Sequence, residues 1–115
     1  MEAPIPETWL KPVLHILRTG DFAKQILVPH GVGIRWDSDS FGAFLGDVRE
    51  PLIKALSFTG VRGKLIIDQP EPGETYAFWF FYDNRKFYGK ICLYNDKIKI
   101  KLLSAHRPNK GDERL

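Results

Sequence analysis

The sequence predicts an α+β protein in which N-terminal helices pack on one face of an antiparallel sheet of four to five strands. Two observations lead to this fold class. Apolar residues recur with helical spacing before residue 60, and after it they alternate with a period of two. Short breaks rich in Asn and Asp divide this second part into successive hairpins, which is typical of a meander.

Length and composition fit one domain with one core. The chain has 115 residues, of which 43% are hydrophobic and 27% are charged, and both values are ordinary for a globular protein. We therefore expect residues 1–115 to form a single α+β domain that ends in a flexible tail over residues 106–115. The single cysteine, Cys92, excludes an intramolecular disulfide and a cysteine-rich zinc site. No motif indicates a metal or another cofactor, and we predict none.

The first residues show neither the basic nor the apolar region of a secretion signal. The longest apolar runs also fall far short of the ~20 residues that span a membrane. We therefore expect a cytoplasmic protein without a membrane partner.

Two helices are predicted. The first runs from Thr8 to Thr19, with Thr8 as its N-cap, one apolar stripe, and Gly20 at its end. The second runs from about Asp47 to Phe58, and Asp47 and Glu50 have the spacing of a capping box.

The segment between the two helices, residues 21–36, is ambiguous. Phe22 to Val28 fits either a short helix or a strand, Pro29 to Gly31 reads as a turn, and Val32 to Trp36 reads as a strand. Asp37 to Ser40 is expected to be a polar turn that caps the following helix.

Four strands follow the helices. They are predicted at Gly63–Asp68, Thr75–Tyr82, Lys86–Tyr94 and Lys97–Ser104. Two-residue turns at Asp83-Asn84 and Asn95-Asp96 would determine how the last three strands pair.

This pairing assigns each side chain to one face of the sheet. Phe80 would lie opposite Phe87, and Leu93 opposite Ile98. One face is then apolar, and we expect the helices to cover it; it carries Tyr76, Phe78, Phe80, Phe87, Ile91, Leu93, Ile98, Ile100 and Leu102. The other face carries Trp79, Phe81, Lys86, Tyr88, Lys90, Cys92, Tyr94, Lys97, Lys99 and Lys101.

Two pairs on this second face are specific predictions. Trp79 should lie beside Tyr88, and Lys90 directly across from Lys101. Like charges in opposed positions are unfavourable unless an anion binds between them.

The basic residues concentrate in the same region. Residues 85–115 hold 9 Lys and Arg against 3 Asp and Glu, whereas residues 1–84 hold 8 against 11. Aromatic rings among lysines suit single-stranded nucleic acid, because bases stack on the rings and phosphates meet the ammonium groups. The nucleic-acid-binding residues predicted on this basis are Trp79, Lys86, Lys90, Lys99, Lys101 and Lys110.

One group of residues could also support catalysis. His106 and Arg107 follow the last predicted strand, and Tyr88 lies on the same sheet. A histidine beside cations could act as general acid or base in the transphosphorylation of RNA, with Tyr88 as a further donor. The sequence leaves open whether the protein is an enzyme.

Three other interpretations of the aromatic residues stay open. The N-terminal segment or residues 21–46 could cover them, which would make them part of the core. A shifted strand register would also move them to the covered side. Alternatively, Trp79, Phe81 and Tyr88 could bind a second copy or a protein partner, which would make the chain a non-catalytic oligomerising or interaction module.

The order of helices, basic antiparallel sheet and His106-Arg107 pair over roughly residues 47–107 resembles the small bacterial ribonucleases of the barnase/RelE-type toxin superfamily. The resemblance implies metal-independent RNA cleavage by sheet-borne basic residues, histidine or tyrosine. The positions that could correspond are Lys86, Tyr88, Lys90, Lys99, Lys101, His106 and Arg107. The chain departs from this pattern in having no clear catalytic glutamate on the sheet and an additional N-terminal segment of some forty residues.

Overall fold

The computed structural model describes residues 2–108, which form three helices on one face of a six-stranded sheet. The predicted α+β class is confirmed. Ring contacts place the helices on the apolar face, since Trp9 packs against Tyr76 and Trp36 packs against Phe80.

The first helix, α1, spans Glu7–Thr19, close to the prediction, but its N-cap is Pro6 and not the predicted Thr8, which lies inside the helix. Its apolar stripe is buried against the sheet as Trp9, Leu10, Val13, Ile16 and Leu17. The helix ends at Gly20, whose N–H donates to the Ile16 carbonyl at 2.7 Å. A side chain at position 20 would place its Cβ only 2.6 Å from that oxygen, so glycine is required here.

The second helix, α2, spans His30–Asp39, where the sequence predicts a turn and a strand. That prediction is wrong. Pro29 precedes the helix and suits its start, because its φ is already fixed and no N–H is left without a partner. Trp36 then anchors the helix, since it is fully buried and its indole N–H donates to the Phe44 carbonyl at 2.9 Å.

Residues Asp37 to Asp39 accordingly belong to the end of α2, and Ser40 caps it; they do not form a separate turn before the next helix. A 3₁₀ turn over Leu45–Val48 leads directly into the third helix, α3, at Arg49–Leu56. The helix predicted over this region is confirmed, but the capping contact differs. Asp47 accepts a hydrogen bond from the Phe44 N–H at 3.1 Å.

The sheet has the strand order β1-β3-β4-β5-β6-β2. The four long strands form the predicted antiparallel meander; they are β3 at Arg62–Ile66, β4 at Gly73–Tyr82, β5 at Arg85–Tyr94 and β6 at Ile100–His106. Two short strands from the N-terminal part extend it: β1, Ala3–Pro4, pairs with β3, and β2, Ile26–Leu27, runs parallel to β6. These two additions explain why the observed sheet is larger than the predicted one.

The β4–β5 hairpin has the predicted register. Asp83 and Asn84 form its two-residue turn with φ values of 53° and 57°, and Phe80 lies opposite Phe87. Both turn residues adopt the left-handed conformation that such a turn requires.

The β5–β6 hairpin differs from the prediction. Its loop spans residues 95–99, the Tyr94 N–H donates to the Lys99 carbonyl at 3.1 Å, and Leu93 lies opposite Ile100. The predicted Leu93–Ile98 pair is therefore wrong, and Ile98 is 58% exposed in the loop. The shift is an even number of residues, so Ile100 and Leu102 keep their predicted places in the core.

A β-bulge then interrupts β6. Ile91 pairs with Leu102 but Lys90 pairs with Ser104, so Leu103 is an extra residue. An extra residue reverses the alternation of side chains between the two faces. The bulge therefore brings His106 opposite Tyr88, on the face away from the helices.

Candidate nucleic-acid interface

Three rings form a row across the face of the sheet that the helices leave open. Trp79 on β4 pairs with Tyr88 on β5, and Tyr88 pairs with His106 on β6. The ring centroids are 5.7 Å apart in the first pair and 5.5 Å apart in the second. All three side chains are half-buried. We call these three residues the aromatic row.

This arrangement excludes two of the three other interpretations of the aromatic residues, burial by the N-terminal part of the chain and a shifted register. The predicted Trp79–Tyr88 pair is confirmed, so the β4–β5 register is not shifted. Helices α1 and α2, which lie within residues 1–46, pack on the opposite, apolar face and do not bury the row in the core. A surface on which a partner could bind therefore remains.

Two lysines flank Tyr88 on β5. Lys86 and Lys90 are each two residues from it, and side chains two residues apart on a strand share a face. The Lys86 ammonium lies 4.0 Å from the centre of the Trp79 ring, which is a cation–π contact. Lys90 lies between two small residues, Ala77 and Ser104. The predicted opposition of Lys90 and Lys101 is wrong, because the longer hairpin loop and the bulge change the pairing.

The other predicted binding lysines lie apart from the row. Lys101 is opposite Cys92, and its Nζ lies 2.5 Å from Glu71 Oε1. The hydrogen bond to Glu71 raises the pKa of Lys101, so its charge already has a partner within the chain. Lys99 sits in the 95–99 loop, next to Tyr94 at the end of β5. Tyr94 is six residues along this strand from Tyr88, a separation of roughly 20 Å. Lys110 lies outside the described residues.

The Glu71–Lys101 ion pair also changes the middle of this face. It joins the β3–β4 loop to β6 and so crosses β5 at Cys92. Cys92 is fully buried, whereas the sequence predicts it on an open surface. Burial raises the pKa of the Cys92 thiol, which favours the unreactive neutral form. The candidate interface is therefore confined to the end of the sheet that carries the aromatic row.

His106 is oriented by the backbone of the residue that follows it. Its Nδ1 lies 2.7 Å from the Arg107 carbonyl oxygen. Because a carbonyl oxygen only accepts, Nδ1 carries the hydrogen, and in the neutral ring Nε2 has the lone pair. A base at Nε2 is what proton abstraction from a ribose hydroxyl requires.

Arg107 lies at the same end of the sheet. Its N–H donates to Asp39 Oδ2 of α2 at 2.9 Å, and its guanidinium donates to the Lys86 carbonyl. Of the three residues predicted as catalytic, Tyr88 and His106 are in ring contact. The Arg107 guanidinium instead lies 6.0 Å from the centre of the buried Phe87 ring, on the apolar face, so the structure does not bring it to the other two. His106, which was predicted to begin a flexible tail over residues 106–115, is the last residue of β6; residues 109–115 lie outside the described range.

A groove adjoins the aromatic row at Trp79. It lies between the end of β4 and α3 with the loop after α3, has a volume of about 600 Å³, and is lined by Pro51, Lys54, Phe58, Arg62, Trp79 and Phe81 among others. Phe58 is 75% exposed and Phe81 is 62% exposed. We call it the Phe58 groove. From the sequence, Phe58 is recognised only as the end of the second predicted helix. The one sign that could have indicated a surface role is that Phe58 is apolar but falls outside the buried stripe of that helix.

Within residues 2–108 no three His, Cys, Asp or Glu side chains are grouped so that they could hold a metal ion. None of the helices described is long and apolar enough to cross a membrane.

Fold and site together define an α+β domain that presents basic and aromatic side chains at one end of the sheet face that the helices leave uncovered. Models of protein families, curated proteins and solved structures were compared with the chain, and none matches it. The function is therefore inferred from the geometry of this face.

Proposed function

We propose that this protein binds single-stranded RNA on the aromatic row and cleaves it without a metal ion. The observation that supports the proposal is the alignment of Trp79, Tyr88 and His106 across three strands, with Lys86 and Lys90 beside them. Bases that are not paired stack on such rings, and each stacked base contributes about 1–3 kcal/mol of binding free energy. The lysines would neutralise neighbouring phosphates.

Cleavage would use His106 as the base. Its Nε2 accepts the proton of a ribose 2′-hydroxyl, and the 2′-oxygen attacks the adjacent phosphorus. The bond from phosphorus to the 5′-oxygen breaks, and that oxygen takes a proton from a donor, for which the Tyr88 hydroxyl is our candidate. The products are a 2′,3′-cyclic phosphate and a free 5′-hydroxyl. Lys86 and Lys90, beside the row, would stabilise the negative charge that develops on the phosphate oxygens.

RNA binding is tested with a fluorescent single-stranded oligoribonucleotide at low salt. Lys90→Glu should weaken binding about tenfold or more, because it reverses a charge next to the row. Lys99→Glu is the matched control, since both lysines are half-buried in the same hairpin and the change in net charge is equal. We expect its effect to be within about twofold. Equal losses for the two variants would contradict the proposed surface.

Cleavage is tested separately from binding. His106→Gln should abolish formation of the cyclic phosphate, whereas RNA affinity should fall only by the contribution of one ring of the row, about tenfold. RNA methylated at the 2′-oxygen should bind but remain intact, because the attacking hydroxyl is absent. If His106→Ala cleaves RNA at the rate of the unchanged protein, the catalytic assignment is wrong even where binding is real.

A second candidate function is self-association through the same face. The exposed rings of Phe58 and Phe81 next to Trp79 favour it, because clustered apolar side chains of this size commonly mark interfaces. It predicts a dimer in sedimentation experiments that Trp79→Ala dissociates, together with no affinity for RNA at low salt.

A further inference from the structure

We infer that the Phe58 groove is a subsite for one unpaired base of the bound RNA, next to the bases that stack on the aromatic row. This inference rests on the proposed function and adds a second, recessed site to it. The groove and the row share Trp79, so a strand lying on the row reaches the groove without leaving the protein surface.

The walls of the groove suit a flat aromatic ligand. Phe58, Trp79 and Phe81 supply rings, and Pro51, Ala55 and Val61 complete the apolar lining. The volume of about 600 Å³ lies within the ~300–1,000 Å³ of sites that hold small organic molecules. A base has two apolar faces and a polar edge, so it can fill such a space while its edge stays hydrogen-bonded.

Charge favours a nucleotide over an apolar peptide in this groove. Lys54 lines it, and Lys86 lies against the Trp79 ring between the groove and the row; Arg62 also lines it, but its charge is paired with Glu2. Lys54 and Lys86 are placed to meet the phosphates on either side of an inserted base. Glu2 is the acidic residue among the lining residues described; it pairs with Arg62 at 3.5 Å, so an acceptor and a donor lie together for the base edge.

An exposed phenylalanine ring is not by itself evidence of a base subsite. Phe41 and Phe44 are also largely exposed, but the Phe41 ring is stacked against the Arg85 guanidinium at 4.2 Å. Neither of them lines the Phe58 groove. The groove differs from these positions in combining several rings, cations and continuity with the aromatic row.

The test uses a set of single-stranded RNAs in which each position in turn lacks its base. With the unchanged protein we expect one position outside the stretch stacked on the row where removal of the base weakens binding about tenfold. Phe58→Ala should weaken binding of the complete RNA by a similar factor and should abolish the additional loss at that position. Phe44→Ala is the control, since it removes an equally exposed ring, 81% exposed, from a place outside the groove.

The results distinguish failure of the base subsite from failure of the proposed RNA surface. If binding depends on Lys90 but Phe58→Ala behaves like Phe44→Ala, the base subsite is wrong and the proposed RNA surface stands. If the unchanged protein has no affinity for RNA, or its affinity does not depend on Lys90, both are wrong. If Phe58→Ala dissociates a dimer and leaves RNA affinity unchanged, the groove is an interface between copies, and the subsite is again wrong.

Discussion

Among single residues, Leu103 has the largest consequence for the candidate site. It is the extra residue of the β6 bulge, and it reverses the side-chain alternation of the residues that follow. Without it, His106 would point toward the apolar face, away from Tyr88. The ring contact of 5.5 Å between these residues therefore depends on a backbone irregularity.

The first prediction concerns Cys92. This thiol is fully buried, and burial raises its pKa, so little thiolate forms at neutral pH. We expect no reaction with a thiol-specific chromogenic reagent in the native protein at pH 7.5 and complete reaction in denaturant. Labelling of the native protein at the rate of the unfolded chain would show that this part of the sheet is open.

Residue chemistry alone was enough to select the candidate catalytic residues, because histidine, arginine and tyrosine are the side chains that acid–base and phosphate chemistry use. Their mutual placement could not be derived in the same way. Nothing about Leu103 as a residue type distinguishes a bulge from a regular strand position, and the bulge is what sets the Tyr88–His106 pair.

Among the elements, α2 and the β5–β6 loop differ most from prediction. Gly31 and Gly33 disfavour a helix, but packing of Trp36 against Phe80 and Phe87 outweighs that local preference. Asn95 and Asp96 suggested a two-residue turn, but the chain continues to residue 99; Asp96 Oδ1 accepts from the Ile98 N–H, and Lys97 takes a positive φ of 61°. The long strands were predictable because their alternation is strict.

A second prediction tests the ion pair between the β3–β4 loop and β6. Glu71→Gln should destabilise the protein by about 1 kcal/mol at pH 7, because it removes the anionic partner of Lys101 in a partly buried contact. The measurement is thermal unfolding, with Glu50→Gln on the exposed side of α3 as control. A loss no larger than that of the control would mean that the ion pair does not stabilise the fold.

The same pair makes a third prediction, about pH. The Glu71 contact raises the pKa of Lys101 in the folded state, so its stabilising effect is complete below the unfolded value of ~10.4. It is lost as the pH rises through the higher folded pKa. The difference in melting temperature between the unchanged protein and Glu71→Gln should therefore be constant from pH 7 to about 10 and shrink above it. A difference that grows in alkali would contradict this.

A fourth prediction concerns Gly89, in the middle of β5. A Cβ at this position would lie 2.9 Å from the Phe78 ring and 3.1 Å from the Phe80 ring, and both rings are fully buried. Gly89→Ala should destabilise the protein by about 1–3 kcal/mol through overpacking. Chemical denaturation measures the change. Ala at the exposed position Gly46, where a Cβ meets nothing within 4 Å, is the control.

At the scale of the whole molecule, the three helices lie on one face of the sheet, and the other face is where a partner can bind. Two of the three tryptophans, Trp9 and Trp36, are fully buried between helices and sheet, and only Trp79 reaches the open face. The division into N-terminal helices and C-terminal strands was predictable, because the spacing of apolar residues changes from helical to a period of two near residue 60. The edge strands β1 and β2 were not, since two-residue strands show no periodicity.

This distribution makes a fifth prediction. A neutral quencher such as acrylamide should reduce the fluorescence of Trp79 and hardly affect Trp9 and Trp36. RNA should protect Trp79 from the quencher if it stacks on the aromatic row. Trp79→Phe should remove both the quenchable fraction and its protection, whereas efficient quenching that persists in this variant would show that a buried tryptophan is accessible.

The two short strands have a further consequence, for the order of folding. β1 pairs with the first two residues of β3 and β2 with the first two residues of β6, and each pairing joins residues that are far apart in the chain. Contacts of such long sequence separation form late. Until they form, β3 and β6 present backbone groups that another chain can pair with. We therefore expect the refolding yield to fall as protein concentration rises, because two sheets whose short edge strands have not yet paired can join edge to edge.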